Sequence, residues 1–286
     1  MKVTERAGSL ARRFMRRGTE SDRALKEAVL RDLTVEVLLN PDKPKKFAFI
    51  KRNLDILRDK NTPREVFKAS ADRLFRNLGA HLAERLTATT TEAQTPTGAT
   101  FKKETVDNSG ILLVSILRSG LPMVQGIADA LPGAHTAMVD MKRVEETDPK
   151  TGEITCKPCL NYDGLPDDLS GYKEVWVPDP MLATGGSTEA TIEMLIAKGA
   201  LAENIRIIAL VSAAEGILKI RQKYPKVKIT TCALDEGLNE KKYIVPGLGD
   251  FGDRYYEPDI DIEDERKGFV IHYRNNKYVN TTPLVK

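Results

Sequence analysis

The sequence has few of the residues that hold together disulfide-rich or metal-dependent domains. Its 286 residues include only 3 cysteines and 3 histidines. So few cysteines supply no disulfide framework, which is typical of a reducing, cytoplasmic location. Cys156 and Cys159 have CxxC spacing, but a structural zinc site needs four ligands, and only Cys232 and the scattered histidines remain. We therefore predict neither a protein-bound metal site nor a redox pair.

Long apolar runs and a strong charge imbalance are also absent. No run of about 18 apolar residues occurs, so no membrane-spanning helix is predicted, and no signal-peptide core follows Met1. The 44 basic residues are nearly balanced by 41 acidic ones, and a net charge of +3 does not indicate a nucleic-acid partner. The N-terminus is locally arginine-rich. Acidic residues close by favour a solvated, partly helical extension over an organelle transit peptide.

Short apolar runs alternate with helical segments from residue 111 onward. Ile111–Leu117 is almost entirely apolar, as in a strand buried on both faces. Further strands are predicted over residues 134–141, 173–177, 205–211 and 227–234, and helices over 121–131, 187–197 and 214–224. This alternation predicts an α/β fold with a parallel sheet and helices on both faces.

The preceding residues give weaker signals. Residues 1–60 are predicted to be irregular or helical. Thr62-Pro63-Arg64-Glu65 predicts a helix start, with Thr62 as the N-cap residue and Glu65 completing a capping box. Apolar residues then recur at helical spacing as far as Leu82. The threonine-rich stretch 87–100 is interpreted as a loop or a weak hairpin.

The segment 179–187 has the composition of a sugar-phosphate site at the carboxyl end of a strand, where ligands bind in open parallel sheets. Gly185 and Gly186 allow backbone amides to approach an anion closely, and the helix that follows adds unpaired N–H groups. Thr184 and Ser187 can donate hydroxyl hydrogen bonds to phosphate oxygens. Asp179 can accept hydrogen bonds from ribose hydroxyls.

The complete string Asp-Pro-Met-Leu-Ala-Thr-Gly-Gly-Ser, residues 179–187, resembles the loop of the uracil phosphoribosyltransferases that binds 5-phosphoribosyl 1-diphosphate (PRPP). Residues 116–123 resemble the diphosphate loop of that family, and residues 142–147 resemble, more loosely, its second PRPP segment. Residues 243–254, with the sequence Tyr-Ile-Val-Pro-Gly-Leu-Gly-Asp-Phe-Gly-Asp-Arg, resemble its uracil-binding hood. The resemblance extends from about Leu54 to Tyr256.

The resemblance implies transfer of uracil to PRPP, giving UMP and diphosphate. It assigns PRPP binding to Arg118, Arg143, Asp179, Pro180, Met181, Leu182, Ala183, Thr184, Gly185, Gly186, Ser187 and Asp250. Uracil would be bound at Ile244, Gly249, Asp250 and Phe251, largely through backbone groups. Arg118, facing the leaving diphosphate, and Asp250, near base and ribose, are the catalytic candidates. Mg²⁺ is expected as a cofactor that the PRPP diphosphate carries.

The resemblance also implies an architecture. We expect a type I phosphoribosyltransferase-like parallel sheet flanked by helices, with a C-terminal hood and an N-terminal helical extension. The predicted division is a basic extension over 1–60, a catalytic domain over 61–256 with its hood at 235–256, and a tail over 257–286. A homodimer or larger homo-oligomer is expected through the apolar helix at 63–86 and the hairpin at 154–160.

Some positions depart from the family pattern and leave alternatives open. Gln125 stands where the family usually has Asp, Val144 replaces a polar residue, and Pro178 ends a strand that is usually aliphatic there. One alternative is a PRPP- or nucleotide-sensing regulator that has lost turnover, which a turnover assay would distinguish. Another is a transferase for a different base, such as a purine, which a screen of free bases would distinguish.

Overall fold

The computed structural model describes residues 20–40, 47–147, 154–256, 260–264, 269–274 and 277–283, with side chains over 23–40, 47–141 and 159–256. The α-helices are α1 Glu20–Arg31, α2 Ala48–Arg58, α3 Arg64–Ala83, α4 Gly120–Ala128, α5 Gly186–Ala197, α6 Ala214–Lys223 and α7 Phe251–Tyr256. The first ten strands are β1 Val35–Val37, β2 Thr89–Gln94, β3 Thr100–Thr105, β4 Ile111–Leu117, β5 His135–Thr147, β6 Ile154–Asp163, β7 Glu174–Pro178, β8 Met181–Leu182, β9 Ile205–Ser212 and β10 Lys228–Leu234. The last five are β11 Gly237–Leu238, β12 Ile244–Val245, β13 Ile260–Asp264, β14 Phe269–Arg274 and β15 Lys277–Pro283.

The central sheet has the strand order β1-β10-β9-β7-β4-β5-β6, with β8 paired to β9. All of its pairings are parallel except the one between β5 and β6, which is antiparallel and forms an edge hairpin. The predicted fold class, a mostly parallel sheet flanked by helices, is therefore confirmed. Because successive strands run in the same direction, their carboxyl ends meet along one edge of the sheet.

Strand β4 shows why this sheet is covered on both faces. Side chains alternate along a strand, and Ile111 and Leu113 belong to one apolar core while Leu112, Val114 and Ile116 belong to another. Helices α2, α3 and α4 cover the first face, and α1, α5 and α6 cover the second. A strand that is apolar at every position is the sequence signature of this arrangement.

The N-terminal part differs from the prediction in two respects. Residues Val35–Val37 form a strand, β1, which pairs with β10 at the edge of the central sheet. The capping box at Thr62 is wrong: α3 begins at Arg64, its N-cap residue is Pro63 without a side-chain cap, and the Thr62 hydroxyl donates to the Ile56 carbonyl at 2.7 Å. The Thr62 hydroxyl therefore secures the link between α2 and α3.

The apolar face of α3 packs inward, which corrects one half of the predicted oligomer interface. Phe67, Leu74 and Leu82 are essentially fully buried in the core that also contains Leu54 and Leu57 of α2. These side chains are therefore unavailable to a second copy of the chain. The threonine-rich stretch forms the exposed hairpin of β2 and β3. No element was predicted for residues 257–286, where β13, β14 and β15 form a three-stranded antiparallel sheet.

Within the described residues, no helix combines the length and apolar character needed to cross a membrane. The cytoplasmic location expected from the cysteine content stays a prediction.

Candidate functional site

Two predicted site residues, and one carboxylate that was not predicted, follow three parallel strands of the central sheet. Arg118 follows the last residue of β4, Asp179 follows β7, and Asp235 follows β10. The two-stranded ribbon of β11 and β12 continues from β10 and leads into α7. The hood segment thus follows β10 in the chain, whereas Arg118 and Asp179 follow β4 and β7.

Arg118 contacts the hood segment directly. Its Nη2 atom lies 3.6 Å from Oδ1 of Asp253, and both side chains are partly exposed, at 53% and 40%. The hydroxyl of Tyr256 donates to the Arg118 carbonyl at 3.3 Å. Burial raises the pKa of Tyr256, in the direction that favours the protonated, donating form of its hydroxyl. The peptide bond between Leu117 and Arg118 is cis.

The next residue connects Arg118 to the segment 179–187. The hydroxyl of Ser119 donates to Oδ1 of Asp179 at 3.3 Å. The Asp179 N–H group donates to the Ile208 carbonyl at 2.9 Å, which fixes the start of the segment to β9. Strand β7 ends at Pro178, as its missing N–H group requires.

The segment 179–187 is held tightly against the neighbouring strand and helix. The carbonyl of Pro180 accepts from Leu210 and Val211 at 3.1 Å, and that of Leu182 accepts from Ala213 at 2.9 Å. A β-carbon on Gly216 would lie only 2.2 Å from the Ala183 carbonyl oxygen. Only glycine at the start of α6 permits this approach.

The end of the segment leaves backbone donors available for an anion. Gly185 has a left-handed φ of 76° and is the N-cap residue of α5, whose first residues are Gly186 and Ser187. The N–H groups in the first turn of a helix have no partner within that helix. They carry the positive end of the helix dipole, which suits a phosphate group.

One acidic residue in this first turn is neutralised by lysines of the adjacent helix. Glu189 forms ion pairs with Lys219 at 2.7 Å and Lys223 at 3.0 Å. The hydrogen bond from Lys219, followed by that from Lys223, holds the pKa of Glu189 below its usual value. The carboxylate charge close to the α5 N-terminus is thereby compensated.

The predicted second PRPP residue, Arg143, lies on β5, where it pairs with Pro158 of β6. Its side chain lies outside the described part of the chain, as does that of Val144. The Arg143 prediction therefore stays a prediction. Gln125 lies on an exposed position of α4.

The hood segment turns sharply and points its apolar side chains into the core. The Val245–Pro246 peptide is cis, and Gly247 and Gly249 have φ values of 59° and 79°, in the left-handed region. Ile244 and Phe251 are buried, at 4% and 1% exposure. Their side chains therefore cannot face a ligand in solvent, which leaves their backbone groups as the available contacts.

Asp250 is exposed and has a structural role next to the functional one that was predicted. Its Oδ1 atom accepts a hydrogen bond from the Asp253 N–H group at 3.1 Å, and its carbonyl accepts from the Arg254 N–H group at 3.2 Å. Asp250 therefore caps the short helix α7. This places its carboxylate at the start of the helix whose Asp253 contacts Arg118.

Two contacts that support the hood were not predicted from the sequence. Arg58 of α2 forms a two-point ion pair with Asp235, with N–O distances of 2.8 and 2.6 Å. Oε1 of Glu215 accepts a hydrogen bond from the Leu238 N–H group at 3.1 Å. The sequence does contain the charged string Arg-Asp-Lys at residues 58–60, at the end of an apolar helical segment. Nothing near Arg58 in the sequence indicated Asp235 as its partner.

The chain matches the family model described as "Uracil phosphoribosyltransferase" over residues 45–258. It is 42% identical over 202 residues to the uracil phosphoribosyltransferase of Saccharomyces cerevisiae, covering 70% of this chain and 88% of that one. It is 36% identical over 207 residues to that of Limosilactobacillus reuteri, covering 72% of this chain and 93% of that one. Among solved structures, the AQ2163 protein from Aquifex aeolicus matches with a TM-score of 0.64 and 29% identity, covering 78% of this chain and 97% of that one.

Proposed function

Because the chain belongs to the uracil phosphoribosyltransferase family, we propose that it joins uracil to PRPP and releases UMP and diphosphate. The family resemblance of its motifs is confirmed by the match over residues 45–258. Within the described residues, no contact specifically favours a regulator without turnover or a transferase for another base.

The observation that carries this proposal is the position of Arg118 between two segments. Ser119, its neighbour, donates to Asp179 of the segment 179–187, while Arg118 itself faces Asp253 of the hood helix. A cation at this point lies between the groups suited to a ribose phosphate and those suited to a base. In transfer at the ribose C1 carbon, the leaving diphosphate lies next to both the ribose and the incoming base, so a cation at this position is suited to contact it.

The reaction requires charge stabilisation more than a strong nucleophile. Uracil N1 forms a bond to C1 of the ribose, the bond from C1 to the diphosphate oxygen breaks, and its electron pair leaves with diphosphate while the N1 proton is released. Negative charge therefore grows on the leaving group. The fixed positive charges of Arg118 and Arg143 are suited to stabilise it.

The segment 179–187 is suited to hold the rest of PRPP. The Asp179 carboxylate can accept hydrogen bonds from the ribose hydroxyls. The first-turn N–H groups of α5 and the hydroxyls of Thr184 and Ser187 can donate to the 5-phosphate. These contacts would fix the ribose so that C1 faces the attacking nitrogen, and such orientation supplies much of the rate in a two-substrate reaction.

We assign uracil to the backbone around Ile244, Gly249 and Phe251. The burial of the Ile244 and Phe251 side chains supports reading by main-chain groups. Uracil presents two carbonyl acceptors and one N–H group beside the reacting nitrogen, and a backbone loop offers both donors and acceptors. Asp250 would lie near base and ribose.

Mg²⁺ fits this site as an ion that enters with the substrate. It prefers hard oxygen ligands, keeps several waters and is commonly bound by substrate phosphates together with one or two carboxylates. Asp179 offers such a carboxylate at the end of β7. Bound there, the ion would neutralise negative charge on the diphosphate.

The extent of the catalytic unit and the assembly state also belong to the proposal. The division at residues 60 and 256 remains a proposal, and the buried Leu54 and Leu57 support a start at α2 rather than after it.

A homodimer or larger homo-oligomer is proposed through the edge strand β6, where Leu160 and Tyr162 are 46% and 52% exposed. Light scattering of the full chain at micromolar concentration should give at least a dimer mass, and a monomer mass would contradict it.

The experiment that tests the function is UMP formation from labelled uracil and PRPP with Mg²⁺. We expect UMP and diphosphate in equal amounts, and none when PRPP is omitted. Binding of PRPP without turnover would favour the regulator. Turnover with a purine base and none with uracil would favour a transferase for another base.

A further inference from the structure

The ion pair between Arg58 and Asp235 is largely buried and contacts the hood segment. Asp235 is 5% exposed, and its carboxylate accepts from both terminal nitrogens of Arg58, at 2.6 and 2.8 Å. A buried carboxylate is costly unless it is paired and its remaining acceptors are satisfied. Here Oδ2 also accepts from the Gly247 N–H group at 3.0 Å, so the pair extends into the hood.

The pair holds both backbone groups of Gly247. While Asp235 accepts from the Gly247 N–H group, Nη1 of Arg58 donates to the Gly247 carbonyl at 2.6 Å. Gly247 itself turns back on β12, because a β-carbon at this position would lie 2.2 Å from the Ile244 carbonyl oxygen. One ion pair, whose members come from α2 and from the end of β10, therefore holds this turn at Gly247.

We propose that Arg58 and Asp235 are positioning residues for uracil, acting through Gly247 on the backbone groups of Ile244 and Gly249. This inference rests on the proposed function. A site that reads a base by main-chain hydrogen bonds depends on the loop being held close to its binding geometry before the base arrives. Neither member of the pair is assigned a contact with substrate, and neither is placed at the PRPP segment.

This role differs measurably from ordinary stabilisation. A purely structural pair would lower the melting temperature and leave the Michaelis constants unchanged in the protein that remains folded. A positioning pair would raise the KM for uracil, because the loop must be ordered at the cost of binding free energy. The KM for PRPP would change little, since the segment 179–187 is anchored separately to β9, and Asp250 is held by its own hydrogen bonds from the Asp253 and Arg254 N–H groups of α7.

A second ion pair in the same chain supplies a matched control. Arg221, in the last turn of α6, pairs with Asp32 at 2.7 Å and also donates to the Val227 carbonyl at 3.0 Å. The two side chains are 13% and 26% exposed, compared with 20% and 4% for Arg58 and Asp235. Arg221 lies at the carboxyl end of α6, whereas the candidate site adjoins the start of that helix.

The test compares Arg58→Met, Arg58→Lys and Asp235→Asn with Arg221→Met in steady-state UMP formation and thermal unfolding. We expect Arg58→Met to raise the KM for uracil about tenfold or more, with the KM for PRPP within about twofold of the parent. A misplacement on the order of 1 Å is enough for such losses. Arg58→Lys should recover part of the loss, because it keeps the charge but cannot span both carboxylate oxygens. Arg221→Met should lower the melting temperature and leave both KM values unchanged.

The outcomes separate this inference from the proposed function. If the parent chain forms no UMP, the proposed function fails. If the parent is active and folded Arg58 and Asp235 variants keep the parental KM for uracil, the positioning role is overturned alone. Equal increases in both KM values would also overturn it. Should Arg58→Met fail to fold, Arg58→Lys becomes the deciding variant, with an expected increase of about threefold or more in the KM for uracil alone.

Discussion

Gly216 lies directly against the backbone carbonyl of Ala183, so no residue with a side chain fits at position 216. A β-carbon on Gly216 would be 2.2 Å from the Ala183 carbonyl oxygen. The start of α6 therefore supports the middle of the segment 179–187. Because the obstructing atom is backbone oxygen, the segment itself would have to move to admit a side chain.

The first prediction is that Gly216→Ala weakens PRPP binding. Overpacking of this kind costs about 1–3 kcal/mol of stability, and the displaced segment should reduce kcat/KM for PRPP about tenfold or more. Gly171→Ala is the control, because a β-carbon there meets nothing within 4 Å and the residue does not have a left-handed φ. Steady-state kinetics with thermal unfolding would check this. Parental kcat/KM in Gly216→Ala would show that the segment does not bind PRPP.

The second prediction concerns the charge at the end of β4. Arg118→Ala should lower kcat by about 10²-fold or more, the scale seen when one donor that stabilises transition-state charge is lost. Arg31→Ala is a suitable control, since Arg31 forms an exposed ion pair with Glu27 within α1, and its kcat should be parental. Near-parental turnover in folded Arg118→Ala would rule out its role at the leaving diphosphate.

The third prediction separates the two roles of Asp250. Asp250→Ala removes both the helix cap and the carboxylate, and should cost about 1 kcal/mol of stability together with about tenfold or more in kcat/KM. Asp250→Asn keeps a capping oxygen for the Asp253 N–H group but loses the charge. It should therefore retain the melting temperature and still lose activity. A fully active Asp250→Asn would mean that Asp250 acts only as a cap.

The fourth prediction is discrimination between uracil and cytosine. Cytosine has an amino donor where uracil has a carbonyl, so it would place a donor against a donor of the hood. An unpaired buried group costs about 1–3 kcal/mol, and more where a site is built around that hydrogen bond. We expect kcat/KM for uracil to exceed that for cytosine by about 10²-fold or more. Similar use of the two bases would mean that the base is bound elsewhere.

The elements that could be predicted are those whose information is local. The apolar run Ile111–Leu117 predicted a doubly covered strand because every residue of such a strand meets a core. The string from Asp179 to Ser187 predicted a strand end, a tight turn and a helix start because glycine and proline act on their own backbone. The family followed from the same short strings and is confirmed over residues 45–258.

Predictions failed where a neighbour distant in sequence decided the outcome. Thr62 has the local features of an N-cap residue, but its hydroxyl donates to the Ile56 carbonyl. The strand Val35–Val37 is too short to show a period, and it exists because β10 offers an edge to pair with. A strand this short forms because the neighbouring strand β10 supplies its hydrogen-bond partners.

The sequence by itself therefore determined the alternating fold, the turn and helix start in the segment 179–187, and the family, because these depend on periodicity and on residues adjacent in the chain. Only the tertiary structure decided how the hood is held. Arg58 and Asp235 are separated by 177 positions, and neither carries a local signal of the other. Folding brings α2 and the end of β10 together, and burial then makes their pairing necessary, because a carboxylate removed from water must have its charge compensated.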